Sequence, residues 1–392
     1  MRVCFILGAG YSQSFGMPST DDLTDLVLNH LNWADDTNTE LTPDLERENK
    51  KLLLSVLYEN ITDKLVNKYP LPTFEDLIEA LDLITAYLFG FNHNALLPNH
   101  PVDPYHPLLP GFIKNFISNK QIEKIIDVSD PLSKHFKDLF LYLTRELRVL
   151  ISLFLAYRQE LINEKNLPQL ISDCCMDNEC DVINFVTLNY DTILEQSLQQ
   201  ANFQYSRGFT QDKPVNNILL HGNYSFNDKR IRICKIHGSI DWFSGFGMES
   251  STSGYFPEIF EPSATILNLY YQTKRRPFTF VPTFLMGRDH KIRSYSISEF
   301  GDLSNYFRVS VQNADILVLI GFSGKDLNVS RVIENWLMEN LTKRNLWIID
   351  PAGEEVKKRL LVWAEKPDVA NQVKIVPNMD AANWNDIKSN SV

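Results

Sequence analysis

The feature that most constrains this chain is a set of short, almost wholly apolar runs separated by helix-length segments. They are Val182 to Leu188, Ile231 to Ile236, Ile316 to Gly321 and Leu346 to Ile349, with another, Val3 to Leu7, at the start of the sequence. A strand that is apolar at every position must be covered on both faces, and crossover helices cover both faces of a parallel sheet. Helix starts fall after these runs, at Asp191, Asp326 and Ala352, and a further short run lies near Ile218. The pattern predicts an α/β fold, a Rossmann-like parallel sheet flanked by helices, with Val3 to Leu7 completing the same sheet.

Between the first run and about residue 170 the periodicity is helical instead. Leu23, Leu26, Val27 and Leu31 follow the start signal Ser19-Thr20-Asp21-Asp22. Leu52, Leu53, Val56, Leu57 and Ile61 form a second stripe, and Phe74, Leu77, Ile78, Leu81, Ile84 and Leu88 a third. A fourth, through Phe136, Leu139, Phe140, Leu143 and Leu147, begins at Asp130-Pro131, a capping residue with proline in the first turn. The expected organisation is a core of residues 1–24 plus 171–392, interrupted by a helical insertion module over 25–170. With 392 residues, size is no obstacle to a solvent-excluding site. The Pro- and His-rich loop 92–110 carries His93, His100 and His106 at spacings that match no usual zinc site, and is expected to be a lid or a subunit contact.

Charge narrows the function classes. Lys and Arg number 38 against 49 Asp and Glu, a net charge of −11, whereas a surface that neutralises phosphate backbones carries a basic stripe. Lys274-Arg275-Arg276 and Lys357-Lys358-Arg359 are short and read as solvated faces. Direct nucleic-acid binding is therefore not expected. Cys4, Cys174, Cys175, Cys180 and Cys234 are odd in number and form no ladder, so free thiols in a reducing compartment are expected. The opening apolar run ends too soon for a signal-peptide core. The longest greasy stretch, Val149 to Tyr157, is about half of the ~20 residues a membrane span needs. A cytoplasmic protein without membrane contact is the expectation.

Five strand-end motifs could carry chemistry. Gly8-Ala9-Gly10 stands between a buried strand and a helix, where a backbone can approach a pyrophosphate, but the third glycine of the dinucleotide fingerprint is absent and a plain tight turn reads equally well. Thr187-Leu188-Asn189-Tyr190-Asp191 ends a buried strand; Asp191 reads equally as a helix cap, which leaves Asn189 as the sharper candidate. His237, in Lys235-Ile236-His237-Gly238-Ser239, is a candidate base, and His221-Gly222 offers the same dipeptide earlier. Gly321-Phe322-Ser323-Gly324 closes the most hydrophobic strand and could hold phosphate oxygens through its amides and the Ser323 hydroxyl. Asp350 is placed to accept from ribose hydroxyls, although Asp350-Pro351 is also a good helix start.

Taken in order, Gly8-Ala9-Gly10-Tyr11-Ser12 with Gly16-Met17-Pro18-Ser19, Thr187-Leu188-Asn189-Tyr190-Asp191, His237-Gly238-Ser239 and Gly321-Phe322-Ser323 resemble the sirtuin (silent-information-regulator) family. The resemblance implies an NAD⁺ site. In it, Gly8, Ala9, Gly10 and Ser12 hold the pyrophosphate and the nicotinamide-side ribose. Asn189 and Asp191 match the family's Thr-x-Asn-x-Asp motif. His237 matches its base, with His221 second because no serine follows. Ser323 and Asp350 hold phosphate and the adenine-side ribose. Two departures stand out. No cysteine follows Cys234, so the four-cysteine zinc module of protein-deacylating sirtuins is missing, and the Gly-Ile-Pro-Asp-Phe-Arg pattern is reduced to Gly16-Met17-Pro18-Ser19-Thr20-Asp21. Both resemble the sirtuin-like NAD⁺ hydrolases of bacterial antiphage defence.

The resemblance thus implies an NAD⁺ glycohydrolase that yields nicotinamide and ADP-ribose, uses no zinc, and depletes cellular NAD⁺. An NAD-dependent protein deacylase or ADP-ribosyltransferase, and a non-catalytic NAD or ADP-ribose binding subunit, are the competing readings. By the same analogy, self-assembly into a homo-oligomer through the helical block is expected, with a separately encoded partner such as a helicase-like ATPase.

Overall fold

The computed structural model of the chain describes residues 1–29, 52–59, 61, 73–88, 134–208, 212–215, 218–220, 229–245, 258–262, 282–285, 298–339, 345–361 and 372–390. The chain divides into two compact units. One comprises Met1–Ser19, Tyr157–Ile240 and Ser294–Val392, and the other Thr20–Ala156 and Asp241–Arg293.

The first unit is built on a seven-stranded sheet. Its strands are β1 (Arg2–Leu7), β2 (Val182–Thr187), β3 (Tyr205–Ser206), β4 (Ile231–Lys235), β5 (Ile316–Ile320), β6 (Leu346–Ile349) and β7 (Val373–Val376). Their order across the sheet is β7-β6-β5-β1-β2-β4-β3. Every pairing in it is parallel. This is the Rossmann-like α/β fold that the apolar runs predict. Val3 to Leu7 and Ile316 to Leu319 have no exposed surface, as strands covered on both faces must. The Phe5 and Phe185 rings stack 5.0 Å apart on neighbouring strands.

Among the described residues, seven helices connect and flank these strands: α1 (Ala9–Gln13), α2 (Gln169–Met176), α3 (Ile193–Gln200), α4 (Ser298–Gln312), α5 (Leu327–Glu339), α6 (Gly353–Leu360) and α7 (Trp384–Ser389). The expected helix starts hold. The Asp191 carboxylate accepts from Ile193 N–H at 3.0 Å, and Asp326 Oδ1 accepts from Asn328 and Val329 N–H at 3.0 and 3.1 Å. On α5, Val329, Ile333, Trp336 and Leu337 are buried at helical spacing, and the Trp336 indole donates to the Ala314 carbonyl.

Register decides where chemistry can lie. Val376 is level with Ile349, Ile349 with Ile320, Ile320 with Leu7, Leu7 with Thr187 and Thr187 with Lys235. One row of strand-end residues therefore crosses the sheet, and the loops that leave the strands emerge along one edge. The chain leaves β1 towards β2 and later returns to β5 on its other side, so the topological switch point lies between β1 and β5.

One expectation of the alternating pattern fails. Ile218–Leu220 stands outside the parallel sheet and pairs antiparallel with Asp212–Val215. Only positions 216 and 217 join the two, a connection long enough for a hairpin and far too short for a parallel crossover.

Among the described residues of 20–156 there are helices and no strand, as the periodicity predicts: Thr20–Asn29, 52–59, Phe74–Leu88 and the greater part of Lys134–Leu161. Within this second unit the Thr24 hydroxyl accepts from the Phe74 amide at 3.0 Å, and Arg148 donates to the Phe284 carbonyl at 2.8 Å. The expected Asp130-Pro131 cap, the loop 92–110 and His221 lie outside the described residues. All five cysteines are buried free thiols. No helix of the described residues is long and apolar enough to cross a membrane.

The end of the first unit is clamped by one carboxylate. Asp177 accepts from the Trp384 indole at 2.8 Å, from the Lys388 ammonium at 2.9 Å and from the Glu179 amide at 2.9 Å. Burial alone pushes this carboxyl up, but the three donors and the ammonium charge outweigh it and hold it at about 2. An unfolded aspartate titrates near ~4, so the clamp is complete above about pH 4 and is lost as pH falls towards 2. Asp177→Ala, which removes charge-assisted hydrogen bonds, is expected to cost about 2–3 kcal/mol. Hydrogen exchange should show the amides of α7 opening early in this variant, and in wild type opening with falling pH over the same window.

Candidate functional site

The switch point is closed by backbone meeting backbone. Gly8 N–H donates to the Ile320 carbonyl at 2.9 Å, and Gly10 N–H to the Gly321 carbonyl at 3.1 Å. A Cβ on Gly8 would lie 2.4 Å from the Gly321 oxygen, and one on Gly10 2.7 Å from the Gly321 Cα. Gly321 has φ +61°, and a Cβ there would lie 2.3 Å from the Tyr11 nitrogen. The turn after β1 and the loop after β5 can approach this closely only because all three positions lack side chains.

Asn189 is drawn onto the same turn. Its Nδ2 donates to the Gly8 carbonyl at 2.9 Å and to Ser12 Oγ at 2.8 Å, so both of its amide hydrogens are spent and Oδ1 remains as its acceptor. Thr187 faces inward and accepts the Asn189 amide on its hydroxyl at 3.1 Å. Ser12 in turn donates to the buried Asp191 carboxyl. Burial pushes the Asp191 carboxyl up, and the Lys235 charge with the Ser12 and Ile193 hydrogen bonds offsets only part of that shift.

Beneath Asp191 lies an ion pair that sequence reasoning missed. Lys235 is 1% exposed; its ammonium sits 3.2 Å from Glu195 and also donates to the Asp191 carbonyl. In the sequence Lys235 is one residue of the run Ile231 to Ile236, and nothing there singles out Glu195. A pair 40 positions apart leaves no local pattern.

His237 follows β4 and is almost wholly buried. Its Nδ1 is 3.1 Å from the Leu188 carbonyl, and its Nε2 is 3.2 Å from Asp326 Oδ2. Its strand-end loop is tied to the Asn189 loop, because Ile240 N–H and Ser239 Oγ both donate to the Tyr190 carbonyl, at 2.9 and 3.2 Å. Asp326 stood in the sequence only as a helix start. Its Oδ1 performs that role, while Oδ2 reaches a histidine 89 positions away.

The anion side is more selective than the motifs suggest. The amides of Gly8, Gly10 and Gly321 are committed to carbonyl oxygens, that of Gly321 to Ile349 at 3.1 Å. Among the described residues, the amides of Ala9, Phe322, Ser323 and Gly324 meet no protein acceptor. Ala9 and Ser323 are also solvent-exposed. Arg359 braces this loop by donating to the Ser323 carbonyl at 2.6 Å. Asp350 ends β6; one of its oxygens accepts from Ala352 N–H at 2.7 Å, which makes it a turn-former with a second oxygen to offer. The arrangement thus brings Gly8, Gly10, Ser12, Thr187, Asn189, Asp191, His237 and Gly321 into one hydrogen-bonded cluster. Ala9, Ser323 and Asp350 stand on the same edge outside it.

Residues 183–369 match the SIR2-like domain family. The match covers Asn189, Asp191, His237, Gly321, Ser323, Asp326 and Asp350, and supports a sirtuin-like relationship with NAD⁺-related chemistry. The Gly8 to Ser12 turn lies outside the SIR2-like match, and its tie to the matched region is the Asn189 hydrogen-bond pair and the Gly321 contact. No curated protein matches the chain. Among the described residues no group of three or more His, Cys, Asp or Glu side chains could hold a metal ion.

Gly321→Ala adds a methyl into backbone and forces a non-glycine residue to φ +61°. Overpacking and left-handed strain together are expected to cost about 3 kcal/mol or more, read as a lowered urea midpoint at unchanged slope. Lys235→Met leaves the buried Glu195 with only the more distant Arg207 guanidinium, 3.6 Å away, as counter-charge, and is expected to cost about 3 kcal/mol in the same measurement. Lys235→Met with Glu195→Leu should recover most of that loss.

Proposed function

We propose that this chain is an NAD⁺ glycohydrolase that binds its substrate at the strand-end edge of the seven-stranded sheet and cleaves the bond between nicotinamide and ribose. The observation that carries this reading is that Asn189, Ser12 and the Gly8 turn form one hydrogen-bonded unit with the loop next to His237. The open amides at Ala9 and Phe322 to Gly324 suit the oxygens of a pyrophosphate, and the second oxygen of Asp350 suits ribose hydroxyls.

The leaving group is a cationic pyridinium and needs little acid assistance, so the work left to the protein is to hold the ribose as positive charge develops on its ring. Asn189 Oδ1 is the acceptor left to orient a ribose hydroxyl or an attacking water, since Nδ2 is already fixed. Asp191 acts on the same step through Ser12. His237 takes a proton from a ribose hydroxyl or from the water, which adds its remaining oxygen to the ribose carbon that nicotinamide leaves. No zinc is required by these steps.

In this reading the protein is a cytoplasmic antiphage-defence effector that lowers cellular NAD⁺. It is restrained by self-assembly through the helical insertion module over 25–170 and by a separately encoded sensor such as a helicase-like ATPase.

The test is nicotinamide release from NAD⁺ with no acceptor present, by the purified chain at low and at high concentration, beside His237→Ala and Asn189→Ala. A general base contributes ~10²–10⁴-fold, so the His237 variant is expected to lose at least about a hundredfold, a barrier rise of about 3 kcal/mol. Release only when an acyl-lysine or protein acceptor is added would replace the reading with a deacylase or ADP-ribosyltransferase. Tight NAD⁺ binding without release under any of these conditions would replace it with a binding module.

A further inference from the structure

His237 has no ring nitrogen left over. Nδ1 lies 3.1 Å from a carbonyl oxygen, which can only accept, so Nδ1 carries a proton. Nε2 lies 3.2 Å from a carboxylate oxygen, which also accepts, and a bare lone pair facing it at that distance would be repelled. Proton transfer to Nε2 therefore yields an imidazolium held between the Leu188 carbonyl and the Asp326 carboxylate, the form that this geometry suits. Asp326 is itself held in place: its other oxygen accepts from the first free amides of α5, a 13-residue helix packed through Val329, Ile333, Trp336 and Leu337. The Tyr190 ring, 6.4 Å away between centroids, covers the imidazole further. The side chains of His237 and Asp326 are 4% and 14% exposed, so the attraction is little screened by water.

From this geometry we infer that Asp326 is the positioning residue for His237, fixing the ring through Nε2 and acting as counter-ion to the imidazolium that forms when the base takes its proton. The inference rests on the proposed role of His237. When the neutral ring presents Nε2 to a hydroxyl entering beside Asp326, the O–H bond breaks and an Nε2–H bond forms. The oxygen keeps the electron pair, and the new positive charge appears next to a carboxylate already in place.

The test uses the full chain with ¹⁵N-labelled histidine rings, the His237 signals being assigned by their loss in His237→Ala. In wild type the Nε2 signal should report a nitrogen paired with a carboxylate, and Nδ1 should carry its proton. Asp326→Asn keeps a good helix cap and removes the charge. It should displace the Nε2 signal and leave the proton on Nδ1, where the Leu188 carbonyl demands it. In nicotinamide release the same variant should lose about tenfold or more in kcat with KM nearly unchanged, and Asp326→Glu should recover part of it. Ring signals in Asp326→Asn identical to wild type would overturn the inference, whether or not the protein turns over NAD⁺. So would altered ring signals with an undiminished kcat. If wild type releases no nicotinamide at all, the function reading fails and the ring spectra alone decide the pairing.

Discussion

Everything at the functional edge depends on two stretches of backbone lying against each other with no side chain between them. The turn after β1 and the loop after β5 meet at Gly8, Gly10 and Gly321, closer than any Cβ would permit. Two hydrogen bonds cross the contact, from Gly8 to Ile320 and from Gly10 to Gly321. Because β1 and β5 are adjacent and level, the contact fixes both loops relative to the sheet rather than relative only to each other. Asn189 then has a fixed carbonyl, that of Gly8, to bind. A larger residue at any of the three positions would push the loops apart and remove the acceptor that orients Asn189.

The polar groups along this edge are deeply buried, and apart from the Glu195 carboxylate, which is met by ion pairs alone, their cost is met by mutual hydrogen bonding rather than by solvent. Asn189 Nδ2 has two acceptors; Ser12 accepts from Asn189 and donates to Asp191; Lys235 lies between Glu195 and the Asp191 carbonyl. Low dielectric strengthens each of these contacts and makes each missing partner expensive. Such a network has few alternative arrangements of similar energy. That is what a site needs if its main contribution is to hold a ribose and a water in place, as preorganised groups lose nothing to reorganisation when charge develops.

The fold was legible because its strands advertise double-sided burial. Val3 to Leu7 and Ile316 to Ile320 are apolar at each position, and no other sheet environment asks for that. The run near Ile218 misled for the same reason in reverse. Three apolar residues are too few to distinguish a buried parallel strand from half of a hairpin, and only the two-residue connection to Val215 separates them. At the site, Asn189 and His237 were legible as polar residues ending apolar strands. The partners that give them their state were not. Asp326 carries two functions on two oxygens, and the sequence displays only the local one. The glycine turns leave a finer point unread, since their pattern does not show which amides the backbone itself consumes. The amides of Gly8, Gly10 and Gly321 are consumed by carbonyls, and those that remain belong to Ala9 and to Phe322 through Gly324.

In the proposed site the loop after β5 would serve two ends of one substrate. Its first residue, Gly321, locks against the β1 turn, its middle presents open amides beside Ser323, and its last, Asp326, holds His237 while starting α5. The segment from Gly321 to Asp326 is so short that it cannot yield at one of these points without moving the others. A pyrophosphate seated on the middle of the loop would bear on Asp326, the residue paired with His237. The coupling needs no long-range pathway, because the chain itself is the connection and the helix cap at Asp326 is its stiff end. In the proposed reading a substrate that lacked the phosphates would leave that loop unloaded, so recognition of the dinucleotide and readiness of His237 would be properties of one short piece of backbone.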